Sequence, residues 1–228
     1  MTFSLAGRCA RTGAFGVVAA TCDIAVGSRV SYVAAGVGAV ITQHRTDPRL
    51  GPLGIEALGR GASAEEVVAE LVAATPHAGW RQLAVIDRTG RTAAFSGDRV
   101  TTVAAEVHEQ DCVAVGNCLA DPGVGAAMAA AFVATAADPL GERLMQALEA
   151  GLAAGGETSP TLSAVMLAAV DPGMSLIDLR VDYDPAPVVQ LRTLWEEYRG
   201  WVRDFRLRAL NPDQAAGCAD ATEGEGVI

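Results

Sequence analysis

The order in which extended and helical segments follow one another constrains this chain more than any single motif. "TFSLAG", "RTG" and "AFGVVAATC" read as strand, tight turn and strand, with Gly13 in the turn and Val17 and Val18 favouring extended backbone. "SRVSYVAAGVGAVIT" reads as a second strand pair, broken at Gly36 and Gly38. Two helices are expected next, "PLGIEALGRG" and "SAEEVVAELVAAT". In the second, Ser63 followed by Glu66 is a capping-box signature, and Val67, Val68, Leu71 and Val72 form one apolar face. "RQLAVIDRTGRTAAFSG" is a hairpin pattern, and "DCVAVGNCLA" is a strand ending at Asn117. A further helix pair, "PGVGAAMAAAFVATA" and "PLGERLMQALEAGLAAG", precedes the strands "LSAVMLAAV" and "MSLIDLRVDY", joined by Asp171, Pro172 and Gly173. One long amphipathic helix, "APVVQLRTLWEEYRGWVRDFRLRAL", is predicted last.

Strands in hairpins and helices in pairs do not alternate singly, as a doubly wound parallel sheet requires. They fit an α+β fold of two mainly antiparallel sheets packed between helix layers. Without an internal repeat or linker, residues 1–210 are expected to form one domain. The Gly-, Ala-, Asp- and Glu-rich stretch 211–228 is expected to be a disordered tail.

Composition narrows the function classes. The formal net charge is −10, and all 17 basic residues are Arg, scattered along the chain. Phosphate neutralisation needs clustered positive charge, so neither nucleic acid nor an anionic membrane surface is an expected partner. The most apolar windows are too short to span a bilayer, and no signal peptide is expected. The five cysteines, Cys9, Cys22, Cys112, Cys118 and Cys218, form no C-x-x-C pair, and there are three His. Neither a disulfide framework nor a metal site is expected; reduced thiols in a cytoplasmic protein are, with Cys22 and Cys118 in the core.

Thr2 is the residue with the most distinctive chemistry. Removal of Met1 would leave a hydroxyl and a free α-amine on one residue. That amine, with an ordinary pKa of about 7.7–8.0, is able to take the hydroxyl proton near neutral pH. Thr with its own N-terminal amine is a nucleophile–base pair that needs neither His nor Lys.

The segments "TFSLAGRCARTGAFGVVAAT", "AVGSRVSYVAAGVGAVITQ", "RQLAVIDRTGRTAAFSGDR", "VGNCLA", "ERLMQALEAGLAAGGE" and "DLRVDYDPAPVVQLRTL" resemble, in order from Thr2 to about Leu194, the DUF1028 family. That family is grouped with the N-terminal nucleophile (Ntn) hydrolases. The resemblance implies a four-layer αββα sandwich and a candidate Thr2 nucleophile, and it implies no substrate; the Thr2 chemistry itself requires no organic cofactor or metal, and a small soluble substrate is expected. Three positions depart from the family pattern. "GGETSPTLS" stands where G-G-D-x-R-G-x-Q-S is usual, so Glu157 replaces an Asp. Asp182, Tyr183 and Asp184 replace D-D-H, and Thr21 replaces a Ser.

Around Thr2, the candidate catalytic partners are Asn117, whose amide is suited to an oxyanion, and Thr21, on the strand paired with that of Thr2. Candidate substrate contacts are Arg29, as a clamp for a carboxylate, Asp23, Gln43 beside His44, and Ser163. Arg180 is expected to pair with Asp178 and Asp182. The stripe Trp195, Tyr198, Trp201 and Phe205 is expected to pack in the core or in a homodimer. Together these readings give an amidohydrolase cleaving a C–N bond through an acyl-enzyme. The alternative is a binding or assembly module that keeps the fold without turnover.

Overall fold

The computed structural model describes residues 1–216. Residues 217–228, and with them most of the expected tail and Cys218, lie outside the described residues. The part of the tail within them is ordered by contacts. Pro212–Gln214 form a 3-10 turn, and the Ala216 amide donates to Asp204 Oδ1 at 2.7 Å.

The strands are β1 (Thr2–Arg8), β2 (Phe15–Thr21), β3 (Ser31–Ala34), β4 (Gly38–His44), β5 (Arg81–Asp87), β6 (Thr92–Ser96), β7 (Ala104–Glu109), β8 (Cys112–Asn117), β9 (Ser163–Ala169) and β10 (Ile177–Val181). The helices are α1 (Leu50–Gly59), α2 (Ala64–Ala74), α3 (Val124–Ala134), α4 (Leu140–Ala153), α5 (Pro187–Arg199) and α6 (Val202–Leu210). The strands form a six-stranded sheet in the order β10-β9-β2-β1-β8-β7 and a four-stranded sheet in the order β3-β4-β5-β6. Every pairing is antiparallel.

The apolar residues sort into the interfaces of a four-layer stack. Phe3, Leu5, Val18 and Met166 of the larger sheet pack outward on Met128, Phe132, Leu144 and Leu148 of α3 and α4. Ala6, Val17, Ala19, Val113, Val115 and Val165, from the other face of the same strands, meet Ala39, Ile41, Ala84 and Ile86 of the smaller sheet. Val40, Leu83 and Val85 cover the inner sides of α1 and α2 through Leu58, Val67 and Leu71. Strand alternation alone produces this division, since neighbouring side chains point to opposite faces. Strands buried on both faces read as near-continuous apolar runs, as "FGVVAAT" does.

Local signals are visible where they were expected. Ser63 Oγ accepts from the Glu66 amide at 3.3 Å, and the Glu66 carboxylate accepts from the Ser63 amide at 2.8 Å, which caps α2. Two expectations need correction. β7 was not anticipated: it is an edge strand whose Glu106, His108 and Glu109 face solvent, so it carries no apolar pattern. The long last helix is two helices, α5 and α6, separated at Gly200 and Trp201. Trp195 is buried against Gly141 with its indole N–H on Glu142 Oε2 at 2.8 Å, and the Tyr198 hydroxyl donates to the Leu176 carbonyl at 2.8 Å. That half of the aromatic stripe therefore packs on its own fold.

The turn between β3 and β4 depends on Gly38, at φ 149°, where a Cβ would run into the Ile86 carbonyl oxygen of the neighbouring strand. Gly38→Ala is expected to lower stability by about 2–3 kcal/mol through strain and that collision. Denaturant midpoints of the two proteins at equal slope measure it.

Candidate active site

Thr2 opens β1, a strand paired on both sides. Across β8 its partner is Asn117, the last residue of that strand. On the other side, the pairing of Phe3 with Ala20 sets Thr21 beside Thr2, and Thr21 pairs in turn with Ser163, the first residue of β9. Ser163, Thr21, Thr2 and Asn117 thus line up across one end of the larger sheet. Alternation puts them on the same side as Val165, Ala19, Ala6 and Val115, facing the second sheet. Gln43 of β4 and Gln82 of β5, paired with each other, face them from that sheet. The layer between the sheets is therefore apolar along most of its length and polar at one end.

Hydrogen bonds satisfy nearly all of this buried polarity. The Ser4 hydroxyl donates to Gln43 Oε1. Gln43 Nε2 donates to Gln82 Oε1 at 2.7 Å, and Asn117 Nδ2 donates to the same oxygen at 3.0 Å. Gln82 Nε2 donates to Ser96 Oγ and to the Gly116 carbonyl, each at 2.9 Å. Ser4, Gln43, Gln82 and Asn117 are fully buried. Asn117 Oδ1 has no partner, and one of the two donor hydrogens on Nδ2 is uncommitted.

The hydroxyls of Thr2 and Thr21 lie 3.4 Å apart, and both donate to the Met1 carbonyl oxygen. The other candidates have different placements. Gln43 commits both ends of its amide to Ser4 and Gln82, so it positions the network and does not reach a ligand. Ser163 Oγ donates to the Asp23 carbonyl at 2.7 Å and accepts from the Val26 amide at 3.0 Å, which pins the loop after β2. The Arg29 guanidinium donates to the Ile24 and Ala25 carbonyls at 2.7 and 2.8 Å and lies 3.7 Å from the exposed Asp23 carboxylate. It closes the same loop instead of clamping a carboxylate. Arg180 pairs with Asp182 at 3.0 Å. His44 stacks on Trp80 with its Nδ1 2.9 Å from the Trp80 carbonyl, away from Thr2.

Two residues of the site had no assigned role in the sequence reading, Gln82 and Glu157. Gln82 is the hub of the amide network. Glu157 follows Gly155 and Gly156, whose positive φ values of 119° and 57° end α4 and turn the chain. A bridge to Leu119 and the Thr158 amide on the Cys118 carbonyl at 3.0 Å hold the segment against the turn after Asn117. Glu157 is 7% exposed, and neither carboxylate oxygen has a hydrogen-bond partner. Burial pushes its pKa up to about 7, against the pull of the N-terminal ammonium. Burial and Glu157 push the nearby Cys22 thiol up to about 11; Cys22 and Cys118 are half-buried, not core as expected. Glu157 borders an open cavity of about 450 Å³ that Leu152, Thr158, Thr161, Pro187 and Val188 also line. Among the described residues, no helix is long and apolar enough to cross a membrane, and no group of three or more His, Cys, Asp and Glu side chains is arranged to hold a metal ion.

These contacts make two expectations measurable. Gln82→Met keeps the volume but orphans the amides of Gln43 and Asn117, so it is expected to cost at least about 2 kcal/mol in denaturant unfolding. Glu157 has a folded pKa raised from 4.5 to about 7, so its contribution to stability is present below pH 4.5 and lost as pH rises towards 7. In the chain that keeps Met1, the stability of Glu157→Gln relative to the parent is expected to rise over that window, by roughly 3 kcal/mol at most. A parallel pH profile for the two proteins would contradict it.

No curated protein matches this chain. The Anbu (ancestral beta-subunit) protein from Yersinia bercovieri aligns at a TM-score of 0.39 and 13% identity, covering 90% of this chain and 96% of that one, a likeness too slight to carry an argument. A crystal structure of a DUF1028 protein from Silicibacter pomeroyi superposes at a TM-score of 0.82 with 31% identity, covering 89% of this chain and 90% of that one. The family model described as a family of unknown function, DUF1028, matches residues 2–191. By that match and that relative, this chain belongs to the DUF1028 family.

Proposed function

We propose that the chain, once Met1 is removed, is an Ntn-type hydrolase that cleaves an amide or related C–N bond of a small soluble substrate. What supports this reading most directly is the placement of Thr2. It stands buried at the polar end of the space between the sheets, its hydroxyl 3.4 Å from that of Thr21 and its strand partner Asn117 holding an unpartnered acceptor.

Each group has a part in the proposed reaction. Thr2 Oγ1 bonds to the substrate carbonyl carbon while its proton passes to the α-amine of Thr2. The Thr21 hydroxyl, which in this structure donates to a carbonyl oxygen at that place, and the free Nδ2 hydrogen of Asn117 stabilise the oxyanion. The C–N bond then breaks, and the leaving nitrogen takes the proton back from the ammonium. A water attacks the resulting ester, again giving a proton to the amine. The carboxylic acid leaves and Thr2 is restored. Asn117 Oδ1 is the acceptor that would orient the amine. Thr21 and Asn117 thus act on the reacting atoms, and Gln82 acts by holding Asn117.

The native protein is expected to have lost one Met by intact mass. The processed chain is then expected to take up one acetyl group from p-nitrophenyl acetate at Thr2. Thr2→Ala should show neither that adduct nor the burst of nitrophenol, a drop in the acylation rate of roughly 10³-fold or more. Retention of Met1 in the native protein, or an equal burst in Thr2→Ala, would leave only a binding module on this fold.

A further inference from the structure

Residue 1 is seated as the acyl part of a substrate would be. The Met1–Thr2 amide and an ester on Thr2 Oγ1 are N- and O-acyl isomers, joined through neighbouring heteroatoms of one residue. A group in the place of residue 1 therefore marks where an acyl group on Thr2 would lie. Its carbonyl oxygen accepts from the hydroxyls of Thr2 and Thr21. Its sulfur accepts from Thr158 Oγ1 at 3.5 Å, beside the cavity of about 450 Å³ lined by Leu152, Pro187 and Val188. Its ammonium pulls on Glu157 through its charge, without a hydrogen bond to either carboxylate oxygen.

Glu157 gives this arrangement its chemical direction. A carboxylate that is more than nine-tenths buried, with both oxygens unpartnered, is unfavourable unless a cation or donors complete it. The thiol and amide of Cys22 approach it and favour its charged form, but from geometry too poor for a hydrogen bond, and Asp23 brings only a like charge. With Met1 excised, the terminal amine is that of Thr2, one residue further into the sheet, and the carboxylate is left facing the place that residue 1 has vacated.

We propose that this space is a binding site for an aminoacyl group, with the scissile carbonyl at the Thr2 and Thr21 hydroxyls, the α-ammonium on Glu157 and an apolar side chain in the cavity. The substrate class is then an amide of an α-amino acid with its amine free. The bond-breaking part rests on the hydrolase reading; the binding part does not.

The test separates the two. The chain freed of Met1, verified by mass, is titrated calorimetrically with L-methioninamide and with 4-(methylsulfanyl)butanamide, the same amide without the α-amine. A charge-assisted contact predicts binding of the aminated amide tighter by about ten- to a hundredfold. Glu157→Gln should abolish that preference and leave the weaker amide unaffected. Absence of binding, or equal affinity for both amides in the parent protein, overturns the site whatever the variant does. L-methionyl p-nitroanilide then reports turnover. Preference without turnover keeps this site and removes the hydrolase reading. Turnover of aminated and deaminated anilides at equal kcat/KM removes this site and keeps the hydrolase.

Discussion

The buried amide chain from Ser4 through Gln43 and Gln82 to Asn117 is the interaction on which the organisation of this protein turns. These groups lie in the middle of a sheet-to-sheet interface, where an unpaired amide would cost about 1–3 kcal/mol. They are tolerated because each sheet supplies what the other lacks. Asn117 and Gly116 of β8 meet Gln82 of β5, and Ser4 of β1 meets Gln43 of β4. Apolar contacts alone would permit some sliding between the sheets. Directional bonds at one end permit one alignment, and a slip of one residue along any of these strands would turn the polar side chains into the helix layers.

That alignment also fixes what happens at the beginning of the chain. β1 is an interior strand of its sheet, with β2 on one side and β8 on the other, so its first residue cannot drift. Thr2 is held between Thr21 and Asn117 by the ladder, with only its N-terminal side open. Residue 1 must leave the sheet at that end, and it does so over Glu157 and Thr158. The left-handed turns at Cys118, φ 54°, and at Gly155 and Gly156 bring these two segments to the same edge. Backbone conformations of this kind are costly for non-glycine residues, and they persist here because strands on either side determine them.

Much of this was legible from the residues. Strand pairs, helix pairs and the Ser63 cap follow from periodicity and turn chemistry, which are local, and they sufficed for the layered α+β architecture. The placement of Thr2 beside Thr21 followed from hairpin pairing. What was hidden is non-local. Gln82 sits in "RQLAVID" as one polar letter ahead of an apolar run, and only the register against Gln43 and Asn117 makes it a hub. Glu157 looked like a substitution in a loop, because its burial comes from segments distant in sequence. Arg29 was misleading for a local reason: in a strand it would have been a candidate clamp, but residues 26–28 form a 3-10 turn that folds it back onto the Ile24 and Ala25 carbonyls just before that turn.

The electrostatics of the two acceptors at the site point to different jobs. An amine that must take a proton from its own hydroxyl has to be neutral part of the time. A buried carboxylate paired with it would hold it as an ammonium and oppose that role. Asn117 Oδ1, a neutral acceptor, orients an amine with far less bias towards its charged form. Glu157 has the complementary properties, since a carboxylate raised towards neutrality by burial becomes fully charged when a cation arrives. Under the proposed mechanism, then, the neutral acceptor serves the amine of Thr2 and the carboxylate serves the amine of the substrate. Exchange of the two jobs would give a site that binds its nucleophile's amine too tightly to use it.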